Sequence, residues 1–269
     1  MKTQLILSTK CNAQGKTQLD RYFVSPPFKL MTLPPKSEAW AHELHTMQMS
    51  SSPGLLGGDE IEVDISLAKN TALSLTTQAF TRVQAMNATD VAKQQTKITL
   101  AENSALFYLP HPLVLHKDSA LQQTTEIEMA MQSRLIYGEI VAIGRVLNGE
   151  RFAFRYFSSY LRITHQRRPL LSDRIYWQPE TMALTALSQM EDFSHQGSLV
   201  YMDLRLEYAQ IKALVSELQQ DYADTESLEI GISQLNAGGL FIRVLAYRAE
   251  SIERFFSQIG KRLKTVSAA

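Results

Sequence analysis

Apolar and polar residues alternate along much of the chain, which predicts a strand-rich protein. Alternation indicates a strand with one face in the core, and a run that is apolar at both parities is typical of a strand covered on both faces. The alternating stretches are residues 59–67, 126–132 and 228–232, and the doubly apolar ones are residues 135–143 and 240–247. The pattern therefore predicts a mainly β fold.

Helical periodicity is clear in two places, both in the C-terminal half. Residues 208–221 and 249–265 carry apolar side chains at helical spacing, and the second stretch has Glu in its first turn and Lys and Arg in its last. No Gly/Ser-rich or Pro-rich linker and no fixed-period repeat divides the chain. We therefore expect one domain over residues 1–269, with strands in a layered, β-helix-like arrangement and about two helices; periodicity alone does not distinguish this from a sandwich.

Composition narrows the class of protein. The 269 residues include 27 Lys and Arg against 27 Asp and Glu, and this balance argues against a surface for nucleic acid. No stretch approaches the roughly 20 apolar residues of a membrane span, and the N-terminal apolar run is too short for a signal peptide. Cys11 is the single cysteine. We expect a cytoplasmic globular protein with no nucleic-acid partner and no membrane span.

The common catalytic motifs, such as G-x-S-x-G and G-x-x-x-x-G-K-[ST], are absent, so an ordinary hydrolase or nucleotide enzyme is not indicated. The metal-ligand candidates are the pairs His42 and His45, and His111 and His116. A helical i, i+3 spacing would let the first pair share an ion, but neither pair has a cysteine partner or structural-zinc spacing. We expect ordinary loop or surface histidines and no permanent metal.

Two carboxylates occupy unusual positions in the pattern. Asp59 has the parity of the core-facing residues of its strand, so it either points inward or closes the Gly57-Gly58 turn through backbone hydrogen bonds. Glu139 lies in an apolar run, where a charge needs a partner. It either forms a buried ion pair, for instance with Arg145, or lines a watery passage in which carboxylate oxygens hold a divalent ion briefly.

Residues 51–150 combine hydroxyl groups with an excess of acid. Eleven acidic residues stand against seven basic ones in this segment, although an ordinary mixed surface would also explain such an imbalance. Threonine is a normal strand residue, but hydroxyls beside buried acids can stabilise water and ions. The threonines concerned are Thr76, Thr77 and Thr81.

Three sequence blocks follow one another at a distinctive spacing. They are Ser52–Asp59 (SPGLLGGD), Leu75–Ala79 (LTTQA) and Gly138–Arg145 (GEIVAIGR). In this order they resemble the urease accessory protein family UreD/UreH, and Ser25–Leu30 (SPPFKL) resembles its UreH branch. The resemblance covers roughly residues 20–175 by motif and the whole chain by length and order of elements.

This resemblance implies a β-helix-like fold and a role that is not enzymatic. It implies a chaperone that binds the urease apoprotein together with UreF and the GTPase UreG, in an assembly where UreF bridges a 2:2 complex. Nickel would be a transient cargo, with no cofactor permanently bound, and would cross a water-filled tunnel into urease. Weak coordination at successive sites would let the ion move on.

The resemblance also implies which residues line that tunnel. Asp59 is similar to the family's aspartate after Gly-Gly, Glu139 occupies the acidic position before Gly-Arg, and Asp173 in RPLLSDR matches a third acidic position. The implied hydroxyl lining is Thr76, Thr77 and Thr81.

Two other functions stay open at this point. One is a β-helix enzyme acting on polysaccharide, with Asp59, Glu139 and Asp173 as general acid and base. The other is a structural adaptor that recruits UreF without conducting metal.

Overall fold

Most of the chain forms strands that belong to two sheets. The fold is taken from a computed structural model, which describes residues 1–35, 38–223, 225 and 227–266. The strands are β1 (Lys2–Cys11), β2 (Thr17–Val24), β3 (Phe28–Leu33), β4 (Leu44–Ser50), β5 (Glu60–Leu67), β6 (Ala72–Gln78), β7 (Thr81–Val83), β8 (Ala92–Leu100), β9 (Ala105–Tyr108), β10 (Leu113–Leu115), β11 (Ala120–Met129), β12 (Arg134–Ala142), β13 (Tyr156–His165), β14 (Arg168–Trp177), β15 (His195–Asp203), β16 (Leu228–Gln234) and β17 (Gly239–Ala246). The helices are α1 (Tyr208–Asp221) and α2 (Ala249–Thr265).

The chain passes back and forth between the two sheets, so that successive passes stack on one another. The first sheet has the order β14-β13-β11-β8-β5-β1-β2 and the second β16-β17-β15-β12-β9-β6-β4-β3. Off this order, β10 pairs with β12, and β7 pairs with β10. Neighbouring strands in the middle of both sheets are parallel. These stacked coils resemble a β-solenoid. The predicted mainly β, β-helix-like layered fold is confirmed, and its extent over residues 1–269 stays a prediction.

The period-two pattern places one side of each strand in the core between the sheets. In β5, Ile61, Val63 and Ile65 are buried while Glu60 and Asp64 are exposed. Parallel stacking superimposes such positions from coil to coil, and the superimposed side chains form one large apolar core. The core therefore runs along the solenoid axis.

Strand β12 is covered on both faces, as its continuous apolar run predicts. Leu135 and Val141 belong to the core between the sheets, whereas Ile136 and Ile140 belong to a second core under the helices. Side chains at odd-numbered positions of β12 thus face the first sheet, and those at even-numbered positions face α2.

Both helices occupy the ranges that their periodicity predicts, and each buries its apolar stripe against the second sheet. The α2 stripe is Ile252, Phe255, Phe256, Ile259 and Leu263. Among the described residues, no helix has the length and apolar character needed to cross a membrane.

Candidate functional site

A row of polar side chains crosses the second sheet at right angles to its strands. Arg243 of β17 lies opposite Ser198 of β15, and Ser198 lies opposite Glu139 of β12. Residues at the same level in neighbouring strands point to the same face. Because Glu139 has the parity that faces the first sheet, the whole row faces the space between the sheets.

The level of this row in the other half of the sheet follows from the register of β9, which lies between β12 and β6. Tyr108 of β9 lies opposite both Tyr137 of β12 and Leu75 of β6. Two residues further along β6, Thr77 therefore lies at the level of Glu139, and Thr77 is itself opposite Gln48 of β4.

The first sheet presents two matching rows of polar side chains. Gln94, Gln123 and Ser159 lie opposite one another on β8, β11 and β13. Two residues further along each strand, Thr96 is opposite Thr125, and this second row ends at Leu161 and Asp173. Gln123, Thr96, Thr125 and Ser159 are buried. Polar groups from both sheets thus meet inside the protein.

Three successive cavities run between these rows. The first, of about 320 Å³, is lined by Asp59, Thr77 and Thr81; the second, of about 70 Å³, by Thr77, Thr81 and Glu139; and the third, of about 10 Å³, by Glu139 and Asp173. Each cavity shares lining residues with the next. A water needs roughly 10–15 Å³, so the series narrows from several waters to about one. We call this series the inter-sheet passage.

Asp59 lies at the wide end of the passage and combines both of its expected roles. Its carboxylate accepts a hydrogen bond from the Leu56 N–H at 2.9 Å and pairs with the Met1 ammonium at 2.9 Å. The residue is buried and lines the first cavity. Asp59 thus closes the turn after Gly57 and Gly58 while it faces inward, and β5 begins one residue later.

Glu139 lies in the middle of the passage, where neutral groups hold it. Gln123 Nε2 donates to one carboxylate oxygen, and Ser159 Oγ donates to the other at 3.1 Å. Burial raises the pKa of Glu139 to about 7, against the lowering effect of the Ser159 hydrogen bond, and the charge of Asp173 raises it further while that of Arg243 lowers it. Glu139 therefore changes charge near neutral pH.

Of the two environments considered for Glu139, the ion pair with Arg145 is wrong. Strand β12 ends at Ala142, so Arg145 lies beyond the sheet, where its Nε donates to Glu150 at 2.8 Å. The carboxylate of Glu139 instead faces a polar cavity.

Asp173 lies at the narrow end of the passage and is paired with a cation. Arg243 Nη2 is 2.7 Å from Asp173 Oδ1, and Arg243 Nη1 donates to Ser198 Oγ at 2.7 Å. The guanidinium stacks over the Phe241 ring at 4.9 Å from its centroid. An arginine thus joins the two sheets across this end.

The three candidate threonines do not share one face. Thr77 and Thr81 line the passage, and Thr77 Oγ1 accepts a hydrogen bond from the His111 N–H at 2.8 Å. Thr76 points the other way, donates to the Leu109 carbonyl at 3.3 Å, and lines a separate cavity of about 320 Å³ beside α2. Strand alternation separates the two adjacent threonines, so the structure brings together five of the six candidates.

The sequence alone does not mark several of the residues that line the passage. Each is a common polar residue at a strand position, and only its alignment with equivalent positions in other coils marks it. These residues are Gln48, Gln94, Gln123, Ser159 and Ser198.

The histidine candidates do not form a helical pair. His42 lies in a turn and His45 in β4, so the helical spacing that would let them share an ion is absent. His45 is buried, so the expectation of a loop or surface histidine is wrong for this residue. His111 Nε2 is 3.8 Å from Glu253 Oε1, on the α2 side of the second sheet. Within the described part of the chain, no three His, Cys, Asp or Glu side chains are grouped so that they could hold a metal ion.

Comparison with known proteins decides the family. The model of the UreD urease accessory protein family matches residues 1–268. This chain belongs to the UreD family. It is 66% identical over 267 residues to the urease accessory protein UreD of Actinobacillus pleuropneumoniae serotype 5b (strain L20), with 99% of each chain covered. It is 63% identical over 271 residues to UreD of Haemophilus influenzae (strain PittEE), with 99% of this chain and 100% of that one covered.

Family membership confirms the resemblance read from the three sequence blocks, and the finer placement in the UreH branch stays a prediction. UreD proteins are accessory proteins and not catalytic enzymes. The polysaccharide-acting alternative is therefore set aside, and membership in a family of urease accessory proteins is consistent with a role in urease maturation.

Proposed function

We propose that this UreD-family protein conducts nickel into the urease apoprotein during maturation, and that the inter-sheet passage is the route. One observation carries the proposal: Asp59, Glu139 and Asp173 line consecutive cavities that share lining residues, and hydroxyl and amide groups are among the residues between them. Nickel is the cargo here, with no cofactor permanently bound.

The chemistry of the lining suits conduction better than storage. A conducting path must bind an ion well enough to admit it and weakly enough to release it. Ni²⁺ binds imidazole and thiolate more firmly than single carboxylates or amide oxygens. The polar lining of the passage is mostly of the weaker kind, with the His111 imidazole at the second cavity as the exception. Glu139, with a pKa near 7, can ionise as a cation arrives and take up a proton after the cation leaves.

The same proposal includes partners and location. We propose that the protein works in the cytoplasm, binds urease apoprotein together with UreF and the GTPase UreG, and forms a 2:2 assembly bridged by UreF. Membership in a family named for its accessory role to urease supports urease as the client. Light scattering of the copurified chain and UreF measures the assembly: a mass of one copy of each would contradict the 2:2 arrangement.

Substitution of Glu139 tests the route. The protein is co-expressed with urease and the other accessory proteins at limiting nickel, and the nickel content of purified urease is measured by mass spectrometry. Glu139→Leu removes the carboxylate, and Glu139→Gln keeps its shape without its charge. Glu126→Gln is the matched control, because Glu126 is exposed on the outer face of β11.

We expect both Glu139 variants to lower urease nickel several-fold while the complex still copurifies, and the control to leave it unchanged. An unaltered nickel content in Glu139→Leu would remove Glu139 from the route and favour the structural adaptor. Full urease activity after deletion of the whole protein, at limiting nickel, would reject the maturation role itself.

A further inference from the structure

We propose that Arg243 is a charge gate at the narrow end of the inter-sheet passage: its guanidinium occupies the cation position at Asp173, and nickel has to displace it to pass. This inference rests on the proposed function and names a residue that neither the sequence blocks nor the lining of the passage singles out.

The contacts of Arg243 place its charge on the last carboxylate of the route. Its two terminal nitrogens reach Asp173 and Ser198, each at 2.7 Å. Both of these residues line the third cavity. Arg243 lies at the same level of the second sheet as Ser198 and Glu139, so the guanidinium lies across the end of the polar row.

The charges at this end explain why a cation is held there. Glu139 and Asp173 line one cavity of about 10 Å³, and whenever Glu139 is ionised the two carboxylates repel each other unless a positive charge compensates them. Arg243 supplies that charge when the passage is empty. A divalent ion that coordinates Asp173 supplies two charges and makes the guanidinium redundant, so the two cations compete for the same oxygens.

The surroundings of Arg243 allow such an exchange. Its side chain is 31% exposed, so the guanidinium has solvent on one side into which it can turn. The Phe241 ring supports the planar group by a cation–π contact. Partial exposure also makes the ion pair weaker than a fully buried one, which suits a contact that has to be broken in each passage.

Nickel affinity of the purified protein tests the competition directly. Arg243→Met keeps most of the apolar stem and removes the charge, and calorimetric titration with Ni²⁺ measures the dissociation constant. Loss of one positive charge several ångströms from a divalent ion strengthens binding by roughly tenfold or more, even at the dielectric constant of water. Arg243→Lys keeps a charge without the planar fork and should give an intermediate affinity.

Two further variants make the result specific. Arg262→Met is the matched control, because Arg262 is 36% exposed and also pairs with carboxylates, but those of Glu217 and Asp221 on the helices. Its nickel affinity should equal that of the unaltered protein. The double variant Arg243→Met, Asp173→Asn should lose the gain in affinity, because it removes the oxygens for which the two cations compete.

The outcomes separate this inference from the proposed route. If Arg243→Met binds nickel no more tightly than the control, the gate is rejected, even where Glu139→Leu still lowers urease nickel. If that substitution only lowers the melting temperature and leaves the affinity unchanged, Arg243 is a structural tie between the sheets, and the gate is again rejected. A tenfold gain that Asp173→Asn abolishes supports the gate, whether or not Glu139 proves to carry nickel to urease.

Discussion

Helix α2 packs closely against the second sheet because Gly197 has no side chain, and Gly197→Ala tests this packing. A methyl group at Gly197 of β15 would lie 2.6 Å from Ile252 Cγ2 and 2.9 Å from Phe256 Cζ. Both neighbours belong to the buried stripe of α2, and the β-branched Ile252 has little rotamer freedom in a helix. The added methyl therefore has to displace the helix or distort the core.

The size of the effect follows from two opposing contributions. Overpacking of a core lowers stability by typically 1–3 kcal/mol, whereas replacing glycine reduces the freedom of the unfolded chain and returns about 0.4–1 kcal/mol. We expect a net loss of about 1–2 kcal/mol. At roughly 2–4 °C per kcal/mol for a chain of this size, the melting temperature should fall by about 2–8 °C.

Gly231→Ala is the matched control for this measurement. Gly231 lies in β16 of the same sheet, and the nearest atom to an added methyl is the Arg243 carbonyl oxygen at 3.9 Å. Its melting temperature, followed by circular dichroism, should stay equal or rise slightly. If Gly197→Ala melts together with Gly231→Ala, the close contact between α2 and the sheet is refuted.

Three further predictions concern charge and backbone. Burial raises the pKa of Glu139 in the folded state to about 7, above its ordinary 4.5, so the free energy of unfolding should fall by at most about 3 kcal/mol as pH rises between these values. Urea unfolding at a series of pH values should show this decrease in the unaltered protein, and an equal decrease in Glu139→Gln would contradict it. Lys264→Met removes one member of the ion pair with Glu43, whose charged atoms are 2.9 Å apart, and should lower the free energy of unfolding by about 3–5 kcal/mol. The midpoint of urea unfolding measures this loss, and adding Glu43→Gln to the same chain should restore part of it. An unchanged midpoint in the single variant would show that the pair does not stabilise the fold. Gly54→Ala would place a methyl 2.4 Å from the Arg82 carbonyl oxygen at a φ of +151°, so faster proteolysis of this loop is expected, and a cleavage rate equal to that of the unaltered protein would contradict the clash.

The parts of the fold that the sequence predicts are those set by local periodicity. The stripes of α1 and α2 have a period that only a helix satisfies, and both ranges match the structure. Alternation in residues 59–67 likewise matches β5, except that the strand begins at Glu60 and Asp59 belongs to the preceding turn. These signals are local, because each depends on residues that are close to one another in the sequence.

The passage is not local, and for that reason most of its lining could not be predicted. Gln123, Ser159 and Ser198 gain their significance from strand register, which here pairs residues up to 59 positions apart in the chain. Thr76 and Thr77 show the same limit, since their block is recognisable but only the assignment of faces tells which of them enters the passage. Glu139 was identifiable because a charge in an apolar run is conspicuous in any register.

The buried oxygen of Gln48 bears on whether the passage is wet. Gln48 lines both of the wider cavities, and its Oε1 is buried without a hydrogen-bond partner from the described protein residues. Such an acceptor is unfavourable unless water or a cation satisfies it, and a cavity of about 70 Å³ has room for either. Water in this cavity would satisfy the Gln48 acceptor, so the buried oxygen supports the proposal that the passage is hydrated between Asp59 and Glu139.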